Sequence, residues 1–187
     1  KQHKRLNKNA IKGIDLNQAS YQYFGGVDLM AIEGLGHSTI LSIISEVGPE
    51  GFKNFETAKQ FTSWLRLAPN NKISGGKLLS TKTPKGSNRL KIALRNAANA
   101  IGNLKGTHLS NFFNRICYRK GRTVAISATA RKLAVIIWNM IVKNIPYIPP
   151  TEYLFLDEKR RLGLAKRIKK QIDKFGFTNE DLGFVTT

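Results

Sequence analysis

A serine stands beside two glycines and a lysine at Ser74-Gly75-Gly76-Lys77, inside a stretch, Asn70–Lys91, that holds six basic residues and no acidic one. A hydroxyl flanked by glycines is sterically open. A nearby lysine can stabilise its alkoxide or a phosphoryl oxygen. Ser-x-x-Lys also marks the nucleophile of penicillin-binding enzymes, but those need matching Ser-Asp-Asn and Lys-Thr-Gly motifs, and neither occurs in the chain. On spacing alone two readings stay open for Ser74, a nucleophile acting on phosphorus or a residue of a turn.

The charge around it narrows the chemistry. Asp and Glu are absent from Thr57 to Thr151, a window of 95 residues that contains 17 Lys or Arg. Neither a carboxylate-bound metal site nor a pair of acid/base carboxylates can be built within that window. Lys72, Lys77, Lys82, Lys85, Arg89 and Lys91 have no neighbouring acid, so they turn to solvent or to phosphate. Mixed signs are the rule on salt-bridged surfaces, and this segment does not mix them. The whole chain, 187 residues long, has a net charge of +19. A polyanion, usually nucleic acid, is the partner such a balance favours; an anionic membrane surface is the competing reading. His3, His37 and His108 lack ligand spacing, so no metal site is read here. Lone Cys117 allows no internal disulfide and suits a reducing cytoplasm.

A second constellation is Leu29–Gly48, where Gly34-Leu35-Gly36 lies between two stretches of helical character. That is the helix-hairpin-helix pattern. Its glycines let the backbone turn sharply, and the amides opening the second helix at His37 can face a phosphate. Glu33 works against such contact. The alternative is a plain helical hairpin whose glycines serve packing.

These features need elements to hold them. Leu41, Ile44 and Val47 recur at helical spacing before a stop at Gly48-Pro49-Glu50-Gly51. Asn54 is the expected cap of a helix that buries Phe55, Phe61, Trp64 and Leu65. The Ser74 region reads as a basic loop or short hairpin. Ser87 or Asn88 caps the next helix, and another runs from about Thr107 to Lys120 with Leu109, Phe112, Phe113 and Ile116, ending at Gly121. The most apolar helix comes next, and Leu133–Val142 is too short to span a bilayer, so it is expected in the core, Trp138 included. Tyr118 and Tyr147 read as core or surface aromatics. Beyond Ile145–Pro150 a basic amphipathic helix is expected.

Three blocks in this order and spacing, IEGLGHSTILSIISEVG, FETAKQFTSWLRLAPNNKISGGK and STKTPKGSNRLKIALRNAA, resemble the C-terminal half of transposases of insertion-sequence family 110. These are bridge-RNA-guided recombinases related to pilin-gene invertases, and the resemblance covers roughly Val27 to Tyr147. It implies that Ser74 is the nucleophile and that a RuvC-like N-terminal domain, absent from this sequence, supplies Asp and Glu ligands for magnesium. It further implies double-stranded DNA and a structured guide RNA as partners, and a dimer or tetramer in the full-length protein.

The expectation is therefore a mainly α domain, with a helix-hairpin-helix followed by a basic loop and a small helical bundle. Residues 1–26 are read as a basic linker from the missing domain, 27–148 as the transposase domain, and 149–187 as a basic tail helix. The nucleic-acid contacts expected are Gly34, Gly36, His37, Lys72, Gly75, Gly76, Lys77, Lys82, Lys85 and Arg89, with no cofactor in this chain, no membrane partner and a cytoplasmic location. Alone it would bind DNA without recombining it. The rivals are a non-catalytic helix-hairpin-helix binding module and a helical module for an acidic protein.

Overall fold

The computed structural model describes residues 13–86, 88–149, 154–177 and 181. Among them are eight α-helices, one 3-10 turn and one two-stranded hairpin, the mainly helical architecture that the periodicity predicts. His3, Ser87 and the basic run through Lys12 lie outside the described residues. The chain divides into two compact units, Lys1–Ile148 and Pro149–Thr187.

The first helix, α1 (Leu16–Tyr23), starts where Asp15 accepts hydrogen bonds from the amides of Asn17 at 2.9 Å and Gln18 at 3.2 Å, satisfying donors that a helix start leaves open. It falls inside the stretch expected as a linker and packs on α2 (His37–Glu46). Before the Gly34-Leu35-Gly36 turn there is only a 3-10 turn, Leu29–Ala31, where an α-helix is expected from sequence. Positive φ at Gly25 (+62°) and Gly26 (+91°) on one side and Gly34 (+79°) on the other leaves room for a single turn. In α2 the buried face is Ile40 and Ile43, while Leu41 is exposed and Ile44 and Val47 sit at its edge.

The expected stop at Gly48-Pro49-Glu50-Gly51 is instead the first turn of α3 (Gly48–Lys53). Gly48, at φ +61°, makes the bend out of α2, and Pro49 sits in a first turn, where a missing amide costs nothing. Phe52 enters the core from there. The next helix, α4 (Ala58–Trp64), is capped by Thr57, whose Oγ1 accepts from Gln60 N at 3.2 Å; Asn54 closes α3 instead. Trp64 also departs from expectation. It is 41% exposed and lies against Phe55 and Phe61 at ring distances of 5.5 and 6.1 Å. Trp138 is buried, donating through Nε1 to Phe55 O at 3.2 Å.

Three longer helices complete the first unit. Asn88 caps α5 (Arg89–Ile101), which buries Leu90, Leu94, Ala97, Ala98 and Ile101. A Thr107–Ser110 capping box opens α6 (His108–Lys120). The core helix α7 (Arg122–Lys143) packs against α3, α4, α5 and α6 and ends at Asn144 in the left-handed conformation. By length and composition α7 could cross a bilayer, but Leu133, Ala134 and Ile137 are buried as the centre of the bundle. In the second unit α8 (Leu154–Phe175) is a basic helix with Leu162, Leu164, Ile168 and Phe175 exposed.

Burial chiefly, with help from Lys132 and Arg115 and against the pull of Glu33, holds the His108 imidazole below its ordinary 6.5. Between the lowered value and 6.5 the unfolded chain binds more protons than the folded one, so stability rises with pH through that range and falls on acidification. Melting temperatures measured from about pH 5 to 7.5 should show this rise, and His108→Gln should flatten it.

Candidate nucleic-acid interface

The Ser74 segment forms a hairpin of β1 (Lys72–Ser74) and β2 (Lys77–Ser80). Only Gly75 and Gly76 connect the strands, with φ of +55° and +74°. Two consecutive left-handed residues are what a two-residue turn matched to strand twist requires, and glycine takes that conformation without steric cost. The pairing is antiparallel with Ser74 opposite Lys77, Ile73 opposite Leu78 and Lys72 opposite Ser80. A register shift between Lys72 and Ile73 leaves Leu79 with no counterpart on β1.

This register settles how serine and lysine meet. Directly opposed residues carry their Cβ atoms about 4.5–5.5 Å apart on the same face of the ribbon. The three-residue spacing of Ser74 and Lys77 thus becomes a cross-strand pair at the tip. Both side chains are exposed, as are Lys72, Lys82, Lys85 and Arg89.

The loop between the hairpin and α5 is tied down by cations. Asn70 N donates to Lys82 O at 3.0 Å and closes the base of the hairpin. Arg66 donates through Nη1 to Lys85 O, and Lys91 donates through Nζ to Gly86 O at 3.1 Å. Arg66 has φ +54° at the end of α4, a conformation that costs an L-residue roughly 1–2 kcal/mol. Its guanidinium lies so close to Gly86 that an added Cβ there would sit 1.7 Å from Nη1. Lys91 corrects the expectation from sequence, which leaves it to solvent or phosphate. It is only 9% exposed, and burial first, then Arg95 and Arg66, lowers the pKa of its ammonium. Nothing in the sequence singles out Arg66, although the absence of acids nearby in sequence leaves the cations of this loop carbonyls, hydroxyls or an external anion as local partners.

The glycine turn at Gly34-Leu35-Gly36 is a separate feature. A Cβ on Gly34 would come within 2.3 Å of Ile101 Cγ1 and 3.3 Å of Ala97 O, so this glycine lets the turn lie directly on α5. Gly36 is the N-cap of α2 in extended conformation, has open space around it, and supplies no side-chain cap. His37 is tied to α1 through Nε2 and Asn17 Oδ1 at 2.9 Å, and Glu33 accepts from Tyr147 OH at 2.7 Å. The hairpin thus unites Lys72, Ser74, Gly75, Gly76 and Lys77, with Lys82 and Lys85 on the tethered loop and Arg89 opening α5. Gly34, Gly36 and His37 belong to the α1–α2 turn.

The donor set near Ser74 does not suit magnesium. That ion takes oxygen ligands, carboxylates above all, and the sequence offers none from Thr57 to Thr151. No group of three or more His, Cys, Asp or Glu converges among the described residues.

Comparison with known proteins adds two matches. Residues 28–114, which include both the glycine turn and the hairpin, match the family described as Transposase IS116/IS110/IS902. A probable family 20 transposase of Pseudomonas aeruginosa is 27% identical over 125 residues, 65% of this chain and 36% of that protein. The aligned chain thus spans about a third of that relative's length.

Proposed function

We propose that the chain, whose residues 28–114 match the IS116/IS110/IS902 transposase family, carries a transposase domain of that family, grips double-stranded DNA with its basic hairpin and presents Ser74 to a backbone phosphodiester. One observation carries this reading. An exposed serine and an exposed lysine are paired across the tip of a two-residue hairpin, in a segment with no acid to neutralise it.

In the proposed step Ser74 Oγ forms a bond to phosphorus and the bond from phosphorus to one bridging sugar oxygen breaks. That sugar oxygen leaves with the electron pair and takes up a proton. Lys77, opposite Ser74, offsets the charge that grows on the phosphoryl oxygens. Lys72, Lys82, Lys85 and Arg89 hold flanking phosphates, contacts that position the strand without reading its sequence. The hairpin offers no carboxylate or imidazole to take the proton from Oγ. The RuvC-like domain expected from the resemblance would supply a base and the carboxylates for magnesium. Guidance by a structured RNA, a dimeric or tetrameric assembly and a cytoplasmic setting belong to the same reading. Phosphate contact by the amides of the Gly36–His37 turn is part of it too. The want of a base on the hairpin favours the alternative of a binding module without catalysis, and the two share the DNA interface.

A salt titration tests that interface. Binding of the chain to a labelled duplex should weaken steeply as salt rises, because each phosphate contact releases counterions. Lys77→Ala and Lys82→Ala should each weaken binding for every duplex sequence and reduce the log–log salt slope by about one. An affinity indifferent to salt would remove both nucleic-acid readings and leave the acidic-protein module.

A further inference from the structure

The hairpin carries more than charge. Ile73 is 66% exposed, Leu78 57% and Leu79 68%, all within a ribbon of seven strand residues. An isolated two-stranded hairpin is marginal in water unless something covers a face. Large aliphatics at such exposure add the cost of hydrating apolar surface.

The register of the strands sets where these side chains stand. Successive side chains of a strand point to opposite faces. Ile73 and Leu78 are therefore paired on one face, while Ser74 and Lys77 are paired on the other. A second copy of this ribbon would bring together two segments that carry lysines and no acid to pair with them, which like-charge repulsion opposes. Charge complementarity points to a polyanion, since cations surround the aliphatics and acids are missing from the entire window. Phosphates and sugars offer aliphatic side chains little to bury against. In a duplex the faces of the stacked bases are the large apolar surface, and proteins that insert Ile, Leu or Met between base steps use that surface to kink DNA.

Resting on the function proposed for Ser74 and its lysines, we propose that the Ile73–Leu78 pair is a wedge that enters a base step of duplex DNA and unstacks it, which holds the hairpin tip that carries Ser74 and Lys77 beside that step. The wedge accounts for the exposure of Ile73 and Leu78 beside the serine. It also gives the ribbon a means of fixing the scissile phosphate relative to the bases, which lysine contacts alone do not provide.

The test uses the 187-residue chain and short duplexes that carry 2-aminopurine, a base whose emission rises on unstacking, at successive positions. Salt-dependent binding is followed in parallel by anisotropy of the same duplexes bearing a dye. At saturating protein, emission should rise by about twofold or more at one or two adjacent steps, as a wedge predicts. Ile73→Thr with Leu78→Thr places β-branched, strand-forming residues at both positions. That variant should lose the rise while its affinity stays within about tenfold, because the phosphate contacts remain. Lys77→Ala should do the reverse, binding more weakly yet retaining the rise at saturation. Wild-type binding with no rise at any position, or a rise that survives the double threonine variant, would overturn the wedge and leave the DNA interface standing. Absence of salt-dependent binding would overturn the DNA interface itself and the wedge with it.

Discussion

Ser74→Ala is expected to slow strand exchange by at least about a thousandfold, the scale seen when an enzyme loses its nucleophile. The comparison requires a full-length protein that joins this domain to the carboxylate-bearing domain expected from the resemblance. DNA affinity should change by less than about threefold, because one neutral hydroxyl contributes little beside the lysines that neutralise phosphates. The separation of the two effects is the informative part. A serine that merely shaped the turn would not do this, since Gly75 and Gly76 supply the positive φ values the turn requires and alanine fits at position 74 of an exposed strand. Strand exchange that persists in Ser74→Ala would return the serine to the role of a strand residue and leave a binding module.

Gly34→Ala is expected to destabilise the fold by about 2–4 kcal/mol, the sum of a left-handed conformation forced on an L-residue and an overpacked contact. At φ +79° the new methyl would lie 2.3 Å from Ile101 Cγ1, so either α5 or the turn has to move. For a chain of this size the melting temperature should fall by roughly 5–15 °C. Gly36→Ser provides the contrast. Position 36 has open space and an extended backbone, and serine there adds the side-chain cap that α2 lacks, worth a few tenths of a kcal/mol over glycine. The same hydroxyl would occupy an amide of the first turn. If that turn meets a phosphate, Gly36→Ser should raise the melting temperature and weaken DNA binding at once. Thermal melts and anisotropy on the two variants check both halves.

What the sequence makes legible depends on whether one local rule decides the outcome. The helices α5, α6 and α7 are legible because apolar residues repeat at helical spacing and the ends carry cap residues such as Asn88 and Thr107. The hairpin is legible because Gly75-Gly76 stands between short strand-forming segments, and a two-residue turn fixes the pairing of Ser74 with Lys77. Other features are decided by distant neighbours. Gly34 reads from sequence as a turn residue that could serve a phosphate. Its tight seat on α5 depends on Ile101, 67 positions away. Gly48-Pro49-Glu50-Gly51 looks like a stop because glycine and proline usually end helices, yet Pro49 falls in the first turn of α3, where it is tolerated. Trp64 shares a helix with buried Phe61, but its ring lies at the rim of the aromatic cluster. Lys91 and Arg66 are visible only as charges, and their hold on the carbonyls of Gly86 and Lys85 depends on how the loop folds back on α4 and α5.

The site shows the same division. Its chemistry, an open hydroxyl in an acid-free basic segment, can be read from residue types. The face on which each side chain stands comes only from the register, and so does the contrast between an aliphatic face and a serine–lysine face.

The measurement closest to the central claim is a map of the covalent intermediate. The full-length protein would be mixed with guide RNA, magnesium and end-labelled duplex, denatured, and any protein–DNA adduct digested and sequenced by mass spectrometry. A serine nucleophile predicts a nucleotide on the peptide that contains Ser74, and no adduct in Ser74→Ala. A nucleotide mapped to any other residue, or strand exchange that runs to completion with no adduct at all, would contradict it.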